Sequence, residues 1–423
     1  MRPALLDRGR RVLLLGAHGG VGQAVRALLA HSVPGRKLRA QLDALVLVDG
    51  DAPGSALVSD DGNLTVRSVI GSADDLAWLV REHGASSVVD LSSLDTVDCT
   101  RTCDSLGCHF LSTSVEEWPW RGSMPTDEAI ARLLPPFPSS LGRRSHLVGS
   151  GANPGIVNAL VFAALEAFSE RAGVAPSVDA LALQSILITE EDTTSAPATR
   201  SDVFSMTWHP EHCLEELFEP RAFVARDGRV VGLGHRPTER LYEARCGDHL
   251  IEGFMVPHEE TVTLATRLAN IEIGFVYRIP PGARAALAAH PERSFVAGWP
   301  TRRLYPPFTT DLTGYDRLGV LLCSHRFGEL WMGFHTDVTA GLALNTNATQ
   351  LQVAAGVVAG MHQLGSRRGV HFVEDLDWRD FLDVVSEALG PPVVVHAPTA
   401  PVRPIIDRAR DGSFAQREAS FGR

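Results

Sequence analysis

The sequence predicts an α/β protein. An N-terminal doubly wound parallel sheet is followed by an α+β domain, and a last helix returns to the first domain. Three observations carry this reading. Strand-like and helix-like stretches alternate through the first third of the chain. A glycine-spaced loop stands between the first strand and the first helix. From about residue 175 the alternation gives way to longer strand-like runs among acids and aromatics. The 423 residues are enough for two domains.

The first strand is Arg11–Leu15, RVLLL. The residues before it read as a leader into that strand, because the apolar run is too short for a signal peptide. The loop GAHGGVG follows, with Gly16, Gly19 and Gly22 spaced G-x-x-G-x-x-G. Gly20 and Val21 fall in the first turn of the helix it opens, and Val21, Val25, Leu28 and Leu29 share one face of that helix. Glycines let the backbone turn tightly and approach a pyrophosphate, whose charge the helix N-terminus meets. The second strand, LDALVLVD, ends at Asp49. An acid there accepts hydrogen bonds from both ribose hydroxyls of NAD and repels the extra phosphate of NADP. A plain turn residue before Gly50 is the alternative.

The alternation continues with strand LTVRSVI, helix ADDLAWLVREHG, strand SSVVDLS, helix TVDCTRTCDSLG and strands CHFLSTS and SHLVGSG. This is the pattern of a Rossmann-type parallel sheet, which binds ligands at the carboxyl ends of its strands. Ser92, Ser93 and Asp95 lie after one such strand, and Glu116, Glu117 and Trp118 after another. Each is therefore placed to face a ligand, or to be a solvated loop residue. SGANPGIVNAL comes next; Asn153 can cap a helix there, with Pro154 at its first position.

In the middle, LALQSILI and FMVPHEETVTL read as strands of a mixed or antiparallel sheet. TEEDTT and SMTWHPEHCLEELF bring carboxylates, a tryptophan and histidines close to them. The region reads as a substrate-binding and dimerising domain. In NATQLQVAAGVVAGMHQL, Ala354, Ala355, Gly356, Ala359 and Gly360 give a small-residue face suited to close packing against the first domain. The resulting boundaries are 1–155 for dinucleotide binding, 156–340 for substrate and dimerisation, 341–390 for returning helices and 391–423 for a proline- and arginine-rich surface arm with a frayed end.

The net charge of −11 argues against nucleic acid as partner and suits a cationic substrate. No apolar run is long enough to span a membrane. Lys37 is the single lysine and sits in a polar turn, which leaves little room for Schiff-base catalysis by lysine. Cys99, Cys103 and Cys108 lack zinc spacing, so no metal and reduced cytoplasmic thiols are expected.

Taken in order, GANPGIV, ITEEDT, DVFSMTW, GFMVPHEE, GYDRLGVLL and NATQLQVAAGVVAGM resemble bacterial homospermidine synthases, of the saccharopine-dehydrogenase-like group. The resemblance covers most of residues 10 to 390. It implies a homodimeric, NAD-dependent enzyme acting on diamines such as putrescine. In that family NAD takes hydride from an amine carbon to give an imine, a second amine adds, ammonia leaves, and the same cofactor reduces the new imine. Carried over residue by residue, the resemblance assigns site roles to Asn153, Glu190, Trp208, Glu216, His258, Glu260, Glu116, Asp316 and Asp95. Trp208 matches a tryptophan that stacks on a cationic substrate, for which carboxylates and a π face are the fitting groups. Asn153 is expected to orient cofactor or imine at the domain crevice. The glycine loop is closer to that of saccharopine reductases. Arg245 stands where an aromatic is expected, and its planar fork would suit a substrate carboxylate. Two alternatives remain at this point. One is a saccharopine- or carboxyspermidine-type reductase that joins an amine and a carbonyl compound. The other is a non-catalytic cofactor sensor, which would have no need of a cation cage.

Overall fold

The computed structural model describes residues 10–50, 57–58, 63–118, 120, 124–134, 141–197, 199–293, 298–400, 402–410 and 414. The leader (residues 1–9) and the end of the C-terminal arm lie outside the described residues. The chain forms two compact units. Unit 1 combines residues 1–159 with Gln350–Gly390, and unit 2 combines Leu160–Thr349 with residues 391–423.

Unit 1 is built on β1 (Arg11–Leu15), β2 (Ala44–Asp49), β3 (Leu57–Val58), β4 (Leu64–Arg67), β5 (Ser87–Asp90), β6 (His109–Ser112) and β7 (Ser145–Leu147). Unit 2 contributes β8 (Leu183–Asp192), β9 (Phe204–Met206), β10 (Phe223–Arg226), β11 (Arg229–Gly232), β12 (Leu241–Cys246), β13 (His249–Met255), β14 (Glu272–Arg278), β15 (Thr301–Arg303), β16 (Tyr315–Ser324) and β17 (Gly328–Asp337). Later in the chain, β18 (Gly369–His371) belongs to unit 1 and β19 (Val393–Ala397) to unit 2.

The unit 1 sheet has the order β18-β7-β6-β5-β1-β2-β4-β3, parallel except for the β3–β4 pair. Strands covered on both faces should be apolar throughout. Leu13, Leu14, Val88, Val89, Phe110 and Leu111 are accordingly fully buried. The helix Ala348–Gln363 runs into unit 1, and its small residues explain a close approach there. A Cβ on Gly356 would lie 1.9 Å from the Gly151 carbonyl oxygen, and one on Gly360 2.1 Å from Ser150 Oγ. Ser150 Oγ donates to the Gly356 carbonyl at 3.0 Å.

The main sheet of unit 2 has the order β11-β10-β14-β8-β16-β17-β19, with the β12–β13 hairpin attached through β14. The central β8 is parallel to β14 and antiparallel to β16. Leu187, Ala244, Ile251, Val276, Leu321 and Trp331 pack in its core.

Three local expectations change. FMVPHEETVTL is not one strand: β13 stops at Met255, and Glu259–Ala265 is a helix with His258 at its N-cap. Pro257 supplies no N–H for a ladder, and the acids of the first turn favour a helix start. Pro154 does not open a helix, which begins at Ile156. The arm after Pro391 is not a loose surface segment in its first half. Its β19 pairs with β17, and Arg408 is buried beside Glu329 and Cys323.

Candidate functional site

The glycine loop of unit 1 has the features a dinucleotide phosphate requires. Gly16 has φ +69°, and a Cβ on it would lie 2.7 Å from the Leu91 carbonyl oxygen. A Cβ on Gly22 would lie 2.3 Å from the Gly16 carbonyl oxygen, and one on Gly20 2.2 Å from Gln350 Nε2. The helix Gly20–His31 starts from Gly19, which offers no capping side chain. The amides of Gly20, Val21 and Gly22 thus lie where a helix leaves its N–H groups without intrahelical acceptors, ready for an anion. Asp49 closes β2, and its Oδ2 accepts the His18 N–H at 2.8 Å, which ties the acid to the glycine loop. Its parallel neighbour in register, Arg67, donates Nε to the Gly50 carbonyl at 3.2 Å.

At the end of β5, the Ser92 N–H and hydroxyl both donate to Asp90 Oδ1, at 3.0 and 2.6 Å. Burial pushes the Asp90 carboxyl up to about 7, against the pull of those hydrogen bonds. Glu116 follows β6; its Oε1 accepts the Ser114 hydroxyl at 2.8 Å, and its N–H donates to Thr96 Oγ1 at 2.9 Å. Asp95 stands at the start of the next helix. It is fully buried as the N-cap of the helix Thr96–Ser105, accepting the Asp98 N–H at 2.9 Å, with Arg132 Nη2 at 3.4 Å. Short acids satisfy a first-turn amide well, so Asp95 has a capping role beside the one the resemblance implies. Trp118 turns inward as well, donating its indole N–H to Asp98 Oδ2 at 2.8 Å.

Asn153 lies in a tight loop rather than at a helix cap. The Gly151 N–H donates to the Pro154 carbonyl, the Ile156 N–H to the Gly151 carbonyl and the Val157 N–H to the Ala152 carbonyl. Asn158 Oδ1 takes the Gly155 N–H at 2.8 Å. Backbone carbonyls and Asn158 thus do the capping. The Gly155 φ of +134° and its approach to Gly151 explain the GxxxG spacing of this loop.

Unit 2 gathers most of the remaining candidates. Period-two alternation on β8 puts Glu190 and Asp192 on one sheet face and Glu191 on the other. Beside Glu190 in register stand Tyr277 on β14 and Leu318 on β16, and opposite Asp192 stands Asp316. Glu190, Asp192 and Asp316 are all buried. Thr207 donates its hydroxyl to Asp192 Oδ2 at 2.6 Å, and Thr349 donates to Asp316 Oδ2 at 2.6 Å. Burial, with the carboxylates of Glu190 and Asp192, holds Asp316 well above the usual carboxylate range. Burial also raises Asp192. The opposite face carries the counter-charges: Glu191 meets His249 at 2.8 Å, Arg317 at 3.2 Å and Arg278 at 3.6 Å.

Trp208 is half-buried and donates its indole N–H to the Tyr277 hydroxyl at 3.1 Å. Tyr277 stacks on Phe275 at 5.6 Å, and Phe275 meets the His258 ring edge-on at 4.9 Å. His258 Nδ1 is hydrogen-bonded to Glu260 Oε2. Glu259 lies 3.3 Å from Nδ1, and Glu216 Oε1 lies 3.9 Å from Nε2. Burial opposes charge on this imidazole, but Glu260, Glu259 and Glu216 prevail and hold His258 well above its ordinary value. Glu216 is pushed up to about 8 by burial, against the pull of His258. His258, Glu259 and Glu260 bring ligand-type atoms within 4.8 Å of one another.

Sequence reading missed Asp192, Glu259, Tyr277 and Thr349. Strand alternation counted from Glu190 would have found Asp192; nothing local marks Tyr277. Arg245 is exposed on β12.

No family model matches the chain. Two curated relatives carry the name homospermidine synthase. The Blastochloris viridis protein is 28% identical over 378 residues, covering 74% of this chain and 75% of the relative. The Mesorhizobium japonicum protein is 26% identical over 369 residues, with the same coverage of 74% and 75%. Among solved structures, the Legionella pneumophila homospermidine synthase in complex with NAD superposes with a TM-score of 0.77 at 18% identity, covering 93% of this chain and 92% of that one. Yeast saccharopine dehydrogenase (L-Glu forming) gives a TM-score of 0.50 at 11% identity, covering 92% and 100%. No helix among the described residues is long and apolar enough to cross a membrane. In sequence the chain is similar to these two homospermidine synthases, and in fold it is similar to the Legionella pneumophila homospermidine synthase and to yeast saccharopine dehydrogenase.

Proposed function

We propose that the chain is an NAD-dependent enzyme of the homospermidine-synthase type, which oxidises an amine, transfers its aminoalkyl group to a second amine and re-reduces the product. The observation that carries this is the acid face of unit 2. Glu190, Asp192 and Asp316 are buried together beside the half-buried Trp208, while the arginines lie on the other side of the sheet. Clustered buried acids are costly to ionise, and an ammonium group among them relieves that cost.

In this reading Gly16, Gly19, Gly20, Val21 and Gly22 hold the cofactor pyrophosphate, Asp49 the ribose and Ser92 the strand end beside it. NAD, when bound, accepts a hydride from an amine carbon and later returns it. The remaining work falls to the side chains. The carboxylates of Glu190, Asp192 and Asp316 take the N–H groups of an ammonium, and the Trp208 face directs it, worth about 0.5–2 kcal/mol. Binding a cation favours the ionised form of Asp316, so a proton leaves as the amine enters. The reacting nitrogen must lose a proton before its carbon gives up hydride, and must regain one when ammonia departs. His258 and Glu216 hold and return that proton, with Glu260 orienting the imidazole. By resemblance, Asn153 orients cofactor or imine and Glu116 accepts a substrate N–H. A homodimer in the cytoplasm is part of the same proposal.

The exposed Arg245 leaves the reductase alternative without its carboxylate partner. The test is to incubate the protein with NAD and a panel of diamines and amino acids. Mass spectrometry should find a condensed polyamine, with ammonia released in equal amount and no net NADH. Condensation only with a carbonyl compound and consumption of reduced cofactor would refute the proposal.

A further inference from the structure

We propose that Tyr277 is a positioning residue for the amine site, fixing the Trp208 indole so that its face and not its edge meets the cation. This rests on the amine-binding reading above. Tyr277 and Glu190 are neighbours in parallel register on β14 and β8, so both side chains stand on the face that carries the acids. The phenol ring is 2% exposed and stacks on Phe275 at an interplanar angle of 18°. Phe275 is itself buried against the His258 ring. The hydroxyl is thus held from behind by two rings.

Trp208 has no such support from regular structure. It follows β9 and precedes the helix Pro210–Leu217, in a connecting stretch, and it is half-buried. The hydrogen bond from its Nε1 to the Tyr277 oxygen, at 3.1 Å, fixes the rotation of the ring. That rotation decides the sign of the interaction. An aromatic ring attracts a cation over its face and repels it at its edge, because the face is the negative part of the quadrupole. Burial, with the acids around it, holds the Tyr277 hydroxyl well above the usual tyrosine range, so the anchor stays a neutral phenol.

The test is a double-mutant cycle with putrescine as the probe, using the NAD-loaded full chain. Calorimetric diamine binding and kcat/KM are both measured, with NAD affinity as the control. Tyr277→Phe keeps the ring and its stacking and removes only the oxygen. It should weaken diamine binding and kcat/KM by about fivefold to tenfold, the size of one hydrogen bond between neutral groups. NAD affinity should change less than twofold. In a Trp208→Phe background, which has no indole N–H, adding Tyr277→Phe should change diamine binding by less than twofold. A Tyr277→Phe variant that binds putrescine as the parent does overturns the proposal. So does an equal loss in both backgrounds, since that would mean Tyr277 acts without Trp208. A parent protein that binds no diamine would bring down the reading of the site, and Tyr277 with it.

Discussion

Asp192 and Asp316 stand directly opposite one another on β8 and β16, and the Thr349 hydroxyl lies between them. It donates to Asp316 Oδ2 at 2.6 Å, with Asp192 Oδ2 at 3.4 Å. Like charges at cross-strand positions destabilise a sheet. Asp316 meets this by holding its proton, as its raised pKa states. An acid raised in the folded state stabilises most at low pH, and that stability is lost as pH rises through the folded value. Asp316→Asn should therefore raise Tm at pH 8 by about 2 °C or more, with a smaller change at pH 5. The same variant should weaken diamine binding at least tenfold. Calorimetric melts and diamine titration check both parts; a lower Tm at pH 8 would contradict the first.

Trp208 should matter for amine handling and not for cofactor binding. Replacing it by Ala should lower product formation and diamine affinity by about one order of magnitude or more, since positioning errors grow in the transition state. Trp208→Phe should retain more activity than Ala, keeping a weaker π face. Cofactor affinity, read by fluorescence, should hardly move in either. Full activity in a folded Ala variant would reduce Trp208 to packing.

Asp49 and Arg67 make opposite demands on the cofactor. The acid should give a preference for NAD over NADP, and Asp49→Ser should narrow that gap about tenfold. Arg67 is the cation in register beside it. Adding Arg67→Ala to Asp49→Ser should remove the gain in NADP affinity, because a guanidinium suits the extra phosphate. Tighter binding of NADP than NAD by the unaltered protein would show that Asp49 does not play this part.

Asp90 predicts a pH-dependent stability of its own. Its carboxyl rises from the ordinary value to about 7 through burial. The folded state then binds a proton that the unfolded state has released, so stability falls as pH climbs from about 4 to about 7 and levels off above. Over that window the group costs about 4 kcal/mol. Asp90→Asn keeps an acceptor for Ser92 and should flatten this part of the profile. Denaturant melts at pH 5 and pH 8 provide the check, and parallel profiles for the two proteins would exclude the effect.

How much of this could be read from the sequence depends on how local each cause is. The strand–loop–helix at Gly16–Gly22 was legible because each glycine answers a steric demand set within a few residues. Asp49 was legible from its place at a strand end. Trp208, Glu216 and His258 were named through resemblance, and no spacing in the chain shows that Glu216 and His258 meet; the helix Pro210–Leu217 and the start of the helix Glu259–Ala265 bring those two within 3.9 Å. Tyr277 was invisible, since a tyrosine inside FVYR looks like any strand aromatic until its register with Glu190 is known. Asp95 shows the reverse: an acid after a strand and before a helix serves equally as a ligand group or as a cap. The segment after Pro391 was misjudged because its prolines hid VVVHA, which pairs with β17.

The order of β18 beside β7 in unit 1 has a bearing on how the protein is made. Strand β7 ends at Leu147 and its partner β18 begins at Gly369, with nearly all of unit 2 between them. At ordinary ribosomal speeds that interval is roughly 10–45 s. Through it, β7 presents an open row of backbone donors and acceptors in the nascent chain, the kind of edge on which chains mispair. The helix that seats Gly356 against Gly151 emerges in the same late stretch. The glycine loop and Asp49 thus leave the ribosome early, but the unit that carries them becomes complete only after most of unit 2 has been synthesised.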